Sequence, residues 1–535
     1  MFQPSSRIAL AALDRPATQD DWLRVVEGLH ARAGFWWLDS ALPDARLGRH
    51  SFAGADPYAW LRSRSAEVEI DVRREVRPGL AKGFHRIEAD PIECARSMLP
   101  RTDSLIYSTR TQVQSGVARW GEATGLSAGL ELPFVGGAVG YFGYELASQI
   151  ESRLRFENAN TLDLPDLSLA FVDQVFAYDH EAERIWILGL GFGDGRSGSE
   201  SGPRESAVER SRSRVEAASG DIDGLFGKER GRRIARTPSP RSASASSPSP
   251  SALPLESTAD ASEYAKSVDA ILHEIAAGNV YQANFSQRLS VEAEVDPWQI
   301  YQSLRRRNPA PFAAYLDLPD AKILSSSPER FLRMDVSRRI ESRPIKGTRP
   351  RGGDALEDAR LEAELASSDK DRAENLMIVD LVRNDLGRVC MPGSIEVPEL
   401  MQIEPYAAVF QMVSTVTGTL ATGRDALDLV RATFPPGSMT GAPKLASIAL
   451  LENLERVRRG VYAGALGYFD LRGGLDLSVV IRTIIWKQGR AYLHVGGGVV
   501  ADSSPEAEYV ESLDKAKAPL EALDEALSGF RGSES

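Results

Sequence analysis

Cysteine and histidine are scarce in this 535-residue chain: two of the first, Cys94 and Cys390, and six of the second. Two isolated cysteines build neither a disulfide framework nor a cysteine-based zinc cluster. No histidines stand at HExxH spacing, and "LHEIAAG" at 272–278 lacks the second one. Soft-metal chemistry is therefore not expected, and any metal should be a hard cation held by carboxylates. Long apolar runs are missing too: none approaches the roughly 18 residues of a membrane-spanning helix. "RIALAAL" near the start is too short and ill-flanked for a signal peptide. Positive charge is in deficit, with a formal net charge of -12. That argues against nucleic-acid partners and anionic membrane surfaces, both of which need a basic face. Sparse cysteine makes the cytoplasm the simplest compartment.

What is present is ordinary for a globular protein, 42% hydrophobic and 26% charged. The length exceeds what one core supports, so two domains or one large double-layered unit are expected. One break is plain. Over 192–257 the chain runs "FGDGRSGSESGPRES" and "RRIARTPSPRSASASSPSPSALP", rich in Ser, Pro, Gly and Arg. Such composition buries too little to offset ordering entropy and reads as a disordered linker, with room for a short helix around 205–218. It divides an N-terminal region, 1–191, from a C-terminal one, 258–527.

In the N-terminal region "FVGGAVGYFGYELASQI" reads as a glycine-rich approach to a helix, and the runs around "DHEAE" read as a hairpin. The C-terminal region opens with a helix capped at Thr258 or Asp260 and stopped at Gly278. "DRAENLMIVDLVRNDLGRV" is a second helix; "AKILSSSPERFLRM", "AGALGYFDL", "LDLSVVIRTIIWK" and "RAYLHVGGGVVA" read as strands. Clustered strands and helices without strict alternation predict an α+β layered sandwich.

Several constellations carry chemistry. In "ESRPIKGTRPRG" Lys346 stands among Arg343, Arg349 and Arg351. Guanidinium crowding would make its charged form costly and favour a neutral, nucleophilic amine; the alternative is a solvated basic turn. Asp371 with Glu374, and Glu508 with Glu511, are i,i+3 pairs, each sharing a helix face. Alone each is an ordinary wet face. Facing each other, four carboxylates repel unless a divalent cation sits between them, and Mg²⁺ is the hard, oxygen-loving choice. The run Gly496, Gly497, Gly498 after a strand offers approachable backbone N–H groups for an anion, or merely ends the strand. In "FPPGSMTGAPK", Thr440 and Gly441 open a helix-like run that favours an anion or is simply well capped. Arg482, within an apolar strand, wants a carboxylate partner. Glu329 in "SSSPERF" is a candidate acid or an ordinary turn residue. Together these suit a small substrate with more than one carboxylate and a hydroxyl leaving group.

"SSSPERF", "RPIKGTRPRG", "KDRAENLMIVDLVRNDLGRV", "PGSMTGAPK", "YAGALGYFDL", "VIRT", "GGGVVADS" and "EAEYVES" together resemble the chorismate-utilising enzymes, across nearly all of 258–520. "LDSALPDARLGRHSFAGADP" and "FVGGAVGYFGYE" resemble the matching N-terminal region more faintly. The resemblance implies a β/α/α/β sandwich of the anthranilate and aminodeoxychorismate synthase type. Within the family, water-adding members carry a lysine base where this chain has Gln282, so hydration is disfavoured. Anthranilate synthases read PIAGT where this chain has Lys346, and the lysine form is typical of the aminodeoxychorismate synthase component I branch. There the resemblance implies that the lysine attacks C2 of the Mg²⁺-bound ring and the C4 hydroxyl departs, helped by Glu329. Ammonia then adds at C4 and expels the lysine.

The same resemblance places Gln282, Thr440, Gly441, Ala442, Tyr462, Arg482, Gly496, Gly497, Gly498 and Lys515 around the substrate. It places Glu374 and Glu511 nearest Mg²⁺, with Asp371 and Glu508 beside them. Asp371 departs from the commoner Glu. Gln411 replaces a histidine linked to later aromatisation, which disfavours elimination of pyruvate and leaves 4-amino-4-deoxychorismate, a precursor of 4-aminobenzoate and folate, as the product. With no nucleophilic-cysteine glutaminase motif, the ammonia is expected from a separate glutaminase subunit. Ser40, Pro311 and Phe312 lie where relatives bind tryptophan, but "LDS" departs from LLES, so feedback inhibition is not expected and a structural tryptophan stays open. The alternatives are anthranilate synthase component I and a non-catalytic chorismate- or tryptophan-binding subunit.

Overall fold

Apolar alternation sets the layers. In the strand Ile8–Pro16, Ile8, Leu10 and Ala12 enter one buried cluster while Ala11 and Leu13 enter another. Residues two apart share a strand face, so both faces of this strand are covered and its sequence reads as a nearly continuous apolar run. The computed structural model describes residues 8–42, 44, 46–76, 80–99, 105–113, 116–117, 121–124, 131–193, 202–226, 253–406 and 409–531. Among them the strands form a 15-stranded and a 12-stranded sheet. The cluster between the sheets has no helix in it: Leu10, Trp36, Phe52 and Leu190 of the larger meet Trp60, Val139, Tyr141 and Tyr468 of the smaller.

Helices cover the outer faces. Gln19–His30, Gly202–Phe226, Pro297–Arg307 and Pro505–Arg531 pack on the larger sheet. Pro91–Met98, Asp369–Gly387 and Ala426–Thr433 pack on the smaller, while Lys444–Leu454 lies against Gln282–Glu292 of the larger. The α+β class holds, but the layer order is helix, sheet, sheet, helix rather than β/α/α/β, because the sheets' apolar faces bury each other directly. No helix among the described residues is long and apolar enough to cross a membrane.

The division at residues 191 and 258 is not a division of cores. Trp36–Asp39 pairs with Phe312–Asp317 in the larger sheet, and Gly137–Phe142 pairs with Ala465–Asp470 in the smaller. Both regions therefore build both sheets. Nor is 192–257 disordered throughout. Gly202–Phe226 is one helix, longer than the short one expected, and it buries Ala207, Val208, Val215, Ala218 and Ile222. Glycine in the underlying strand Arg184–Phe192 explains the close docking. A Cβ at Gly191 would lie 1.9 Å from the Ala207 carbonyl oxygen, and one at Gly189 would lie 2.8 Å from that of Ser211. Arg32–Asp221 at 2.6 Å and Arg15–Asp223 at 2.7 Å tie the far end to the N-terminal region. The remainder of the expected linker, 194–201 and 227–252, lies outside the described residues.

Three runs expected as single stretches turn out to pass between sheets, one of them "AKILSSSPERFLRM", which is Lys322–Ser327 in the larger and Arg330–Met334 in the smaller. "LSLAFVDQVFAYD" is Leu167–Val172 in the smaller sheet and Gln174–Asp179 in the larger, where the second half forms the expected hairpin with Arg184–Phe192. "LDLSVVIRTIIWK" is likewise Leu475–Val479 and Thr483–Lys487, one in each sheet. "FVGGAVGYFGYELASQI" is mainly the strand Gly137–Phe142, followed by a single turn of helix, Ala147–Ile150. The expected helix Ala261–Ala276 is present, with Asp260 and Glu263 forming a capping box and Gly278 at φ +79° beyond it.

Candidate active site

Strands from both sheets and two outer helices converge at one place. Gln282–Glu292 runs antiparallel to Arg490–Val499, with Asn284 opposite Gly498 and Ser286 opposite Gly496. Ile345–Pro350 pairs with Val409–Thr419 in the other sheet. The three glycines lie inside the strand Arg490–Val499 rather than in a turn after it. What matters is the side chains they lack. A Cβ at Gly496 would sit 2.0 Å from the Phe285 carbonyl oxygen. One at Gly497 would sit 2.6 Å from Glu508 Oε2 and 3.5 Å from Glu511 Oε1. One at Gly498 would sit 2.3 Å from Gln282 Nε2 and 3.2 Å from Lys346 Nζ. The bare strand thus brings the amine, the amide and two carboxylates against one stretch of backbone.

Lys346 lies in Ile345–Pro350 with Nζ 3.7 Å from Glu374 Oε2. The expected guanidinium crowding is absent, because each neighbouring arginine is spoken for. Arg343 bonds Glu404 and, at 3.1 Å, the Thr415 hydroxyl. Arg349 bonds Glu364 at 2.9 Å and Asp371 at 3.1 Å. Arg351 pairs with Asp358 at 2.5 Å. Gln282 is fully buried and neither atom of its amide has a hydrogen-bond partner, so it offers both a donor and an acceptor to whatever fills the space before Gly498.

The four carboxylates do gather, on the helices Asp369–Gly387 and Pro505–Arg531, but with four cations among them. Arg349 holds Asp371, Lys346 approaches Glu374, and Lys515 meets Glu511 at 2.7 Å. Lys370 stands 4.0 Å from both Glu374 and Glu508. Mutual repulsion is therefore relieved by the chain's own ammonium and guanidinium groups. Burial pushes Glu511 up, but Lys515, Lys370 and Lys346 outweigh it and hold the carboxyl below its usual range. Burial raises Glu508, and its neighbour Glu511 adds to the rise. Among the described residues no three acidic, histidine or cysteine side chains stand at metal-ligating spacing. The donor set still suits a hard cation. It is all oxygen, and buried Glu508 Oε2 has no hydrogen-bond partner while facing Gly497. Asp371 is turned to Arg349, Glu511 is held by Lys515, and the other oxygen of Glu508 accepts from the Ser503 hydroxyl at 2.6 Å.

Glu329 is buried just before the strand Arg330–Met334. Burial pushes its carboxyl up to about 7, against the pull of the Ser438 hydroxyl, Lys346, the Ile345 backbone and Arg482. Arg482 is not inside a strand. It occupies the crossing between the sheets at φ +49°, a left-handed conformation unusual for a non-glycine residue. Burial makes its charge costly, Glu329 is the acidic group nearest in effect, and no carboxylate makes an ion pair with it among the described residues. That leaves a guanidinium fit for a ligand carboxylate.

Thr440, Gly441 and Ala442 reach the site by pairing with the same strand, Ala442 opposite Gln282 and Gly441 opposite Ala283. Gly441 at φ +138° could bear no side chain, since a Cβ would meet the Gln282 carbonyl at 2.1 Å. Thr440 is buried, its hydroxyl donating to the Gly437 carbonyl at 3.3 Å, so the expected helix-start hydroxyl is turned inward. Tyr462 is buried and stacked on His494, ring centroids 5.2 Å apart, and burial pushes its hydroxyl up to about 12. Lys515 also donates to the Gly496 carbonyl at 2.9 Å. Gln411 lies opposite Thr348, beside the strand that bears Lys346.

Sequence reasoning missed Lys370, Ser438, Asn284, Arg459 and His494. Arg459 is fully buried and donates to Asn284 and Met439 carbonyls at 2.6 and 2.9 Å, locking the loop to the strand. Its signal was present in "LERVRRG", a charged run too ordinary to single out. Ser40, Pro311 and Phe312 are indeed brought together, but elsewhere. They line a separate cavity of about 280 Å³ with Asp39, Arg46, His50 and Tyr468.

A family model for chorismate binding enzymes matches residues 75–521. The chain belongs to that family. Among solved structures, anthranilate synthase component I from Streptococcus pneumoniae is similar, with a TM-score of 0.69 at 27% identity over 89% of this chain and 93% of that one. Among curated relatives, the aminodeoxychorismate synthase of Streptomyces griseus is 38% identical over 92% of this chain and 61% of its own length. The aminodeoxychorismate synthase component 1 of Bacillus subtilis is 36% identical over 90% of this chain and 91% of its own. The chain thus spans about three fifths of the length of the Streptomyces relative.

Proposed function

We propose that the chain is an aminodeoxychorismate synthase component I, converting chorismate and ammonia to 4-amino-4-deoxychorismate. One observation carries the reading: an amine, Lys346, faces the bare backbone at Gly498 beside an unpartnered buried amide. Arg482 and the open edge of the glycine strand bind the substrate's carboxylates, and Gln282 meets its polar ring substituents. Glu374, Glu508 and Glu511 would hold Mg²⁺, which when bound supplies a positive anchor for a substrate carboxylate. The unprotonated amine of Lys346 bonds to C2 of the ring as the C4–O bond breaks, and Glu329 gives the departing hydroxyl its proton, releasing water. Ammonia then bonds to C4, the ring double bonds shift back toward C2, the C2–N bond breaks with its electron pair left on the Lys346 nitrogen, and the new C4 ammonium gives up a proton. A carboxyl poised near 7 suits a group that must hand over a proton at neutral pH.

Ammonia comes from a separate glutaminase subunit, a reading supported by the "component 1" in the Bacillus relative's name. The setting is cytoplasmic. The cavity lined by Ser40, Pro311 and Phe312 is where a structural tryptophan would sit. The purified chain, given chorismate, Mg²⁺ and an ammonium salt, should yield 4-amino-4-deoxychorismate by mass spectrometry. Anthranilate as the product would overturn the assignment in favour of an anthranilate synthase; chorismate binding without turnover would mark a sensor.

A further inference from the structure

Four carboxylates stand here against four of the chain's own cations before any metal arrives. A divalent cation that takes Glu374 and Glu508 has to displace one of the residents. Arg349 is tied by hydrogen bonds to two carboxylates, at 2.9 Å to Glu364 and 3.1 Å to Asp371. Lys515 is anchored at 2.7 Å to Glu511 and 2.9 Å to the Gly496 carbonyl. Lys346 is enclosed, its side chain 11% exposed. Lys370 is as exposed as Lys515, 43% against 42%, but unlike it makes no short contact: its approaches to Glu374 Oε1 and Glu508 Oε1 are both long, at 4.0 Å. It stands one helical turn before Glu374 on Asp369–Gly387, so its stem reaches either the carboxylates or open solvent. The carboxylate it shares has a second, buried oxygen without a partner, Glu508 Oε2.

Resting on the magnesium reading above, we propose that Lys370 is an internal competitor for the cation. Its ammonium bridges Glu374 and Glu508 in the metal-free chain and leaves for solvent when the divalent ion binds. The exchange replaces one positive charge by two, so the net charge of this corner rises by one. Lys370 therefore lowers the affinity for the metal and makes the site attractive to an anionic substrate only after the metal is in place.

Binding of Mn²⁺ alone, followed by its paramagnetic resonance signal without chorismate, tests this. Two exposed contacts predict a Kd about 3- to 10-fold lower in Lys370→Met than in wild type, with Lys370→Arg close to wild type. A Kd in Lys370→Met that is unchanged or higher overturns the proposal while leaving the magnesium reading standing. A wild-type chain that binds no Mn²⁺ removes the magnesium reading and this inference together. In wild type, acylation of Lys370 read by peptide mass spectrometry should rise as Mn²⁺ saturates; acylation that stays level would also overturn it.

Discussion

In the proposed reaction Lys346, in a strand of the smaller sheet, and Glu329, at a crossing between the two sheets, each have their own signature. Lys346→Ala should reduce turnover to background while leaving chorismate binding measurable by fluorescence quenching, since the carboxylate-binding groups remain. Glu329→Gln should lower kcat by about 10²- to 10⁴-fold, the usual range for losing a general acid. The pH profile separates the roles. The acid form of Glu329 is lost as pH rises through about 7, so kcat/KM should fall on the alkaline side there, and that limb should vanish in the Gln variant. Stability moves the other way. A carboxyl raised from 4.5 to about 7 binds its proton more tightly in the folded chain, so its contribution is full below 4.5 and lost as pH climbs to 7. Glu329→Gln should therefore melt a few degrees higher than wild type at pH 8, by calorimetry, and an unchanged or lower melting point would contradict the buried placement. The motif "SSSPERF" revealed Glu329; its burial and the Ser438 contact were beyond reach, because Ser438 is more than a hundred residues distant in sequence.

At the scale of elements, the helix Gly202–Phe226 shows what composition conceals. Its apolar positions are few, Val208, Val215 and Ile222 among them, and its flanks are rich in Ser and Arg. A residue count of that window sees a linker, whereas the docking depends on two glycines in another element, Gly189 and Gly191. Gly191→Ala should undock the helix, lowering stability by about 1–3 kcal/mol as overpacking does, measurable by urea denaturation. Removing Gly202–Phe226 outright should cost more, because the faces of Ile8–Pro16 and Arg184–Phe192 beneath it would be left bare. Helices with strong caps, such as Ala261–Ala276, were legible residue by residue. The sheet crossings at Asp173 and Arg482 were not, since a strand that changes sheets keeps the same apolar run throughout.

For the whole molecule, the gathering of acids, glycines and an amine was legible from spacing and resemblance, but its electrical balance was not. Lys370 and Lys515 each stand one turn from a carboxylate of their own helix, but only folding sets Arg349 against Asp371 and Lys370 against Glu508. The layer order was likewise hidden, because an apolar strand face does not say whether a helix or a second sheet covers it. Since each sheet is part N-terminal and part C-terminal, residues 258–527 expressed alone should fail to fold cooperatively by circular dichroism. A chain cut between Phe226 and Leu253 should instead elute as one species in gel filtration. Co-elution lost after the cut would mean the shared ladders at Trp36–Asp39 and Gly137–Phe142 do not hold the halves together.

Those shared ladders also fix the order of events during synthesis. Phe142 has Ala465 as its partner, roughly 300 residues later in the chain. At about 5–20 residues per second a ribosome takes some tens of seconds to deliver it. For that interval the nascent N-terminal half presents open sheet edges and an uncovered apolar face. The interval is set by topology alone, so slowing translation downstream of Phe142 should raise the aggregated fraction, and a trigger-type holding chaperone should lower it.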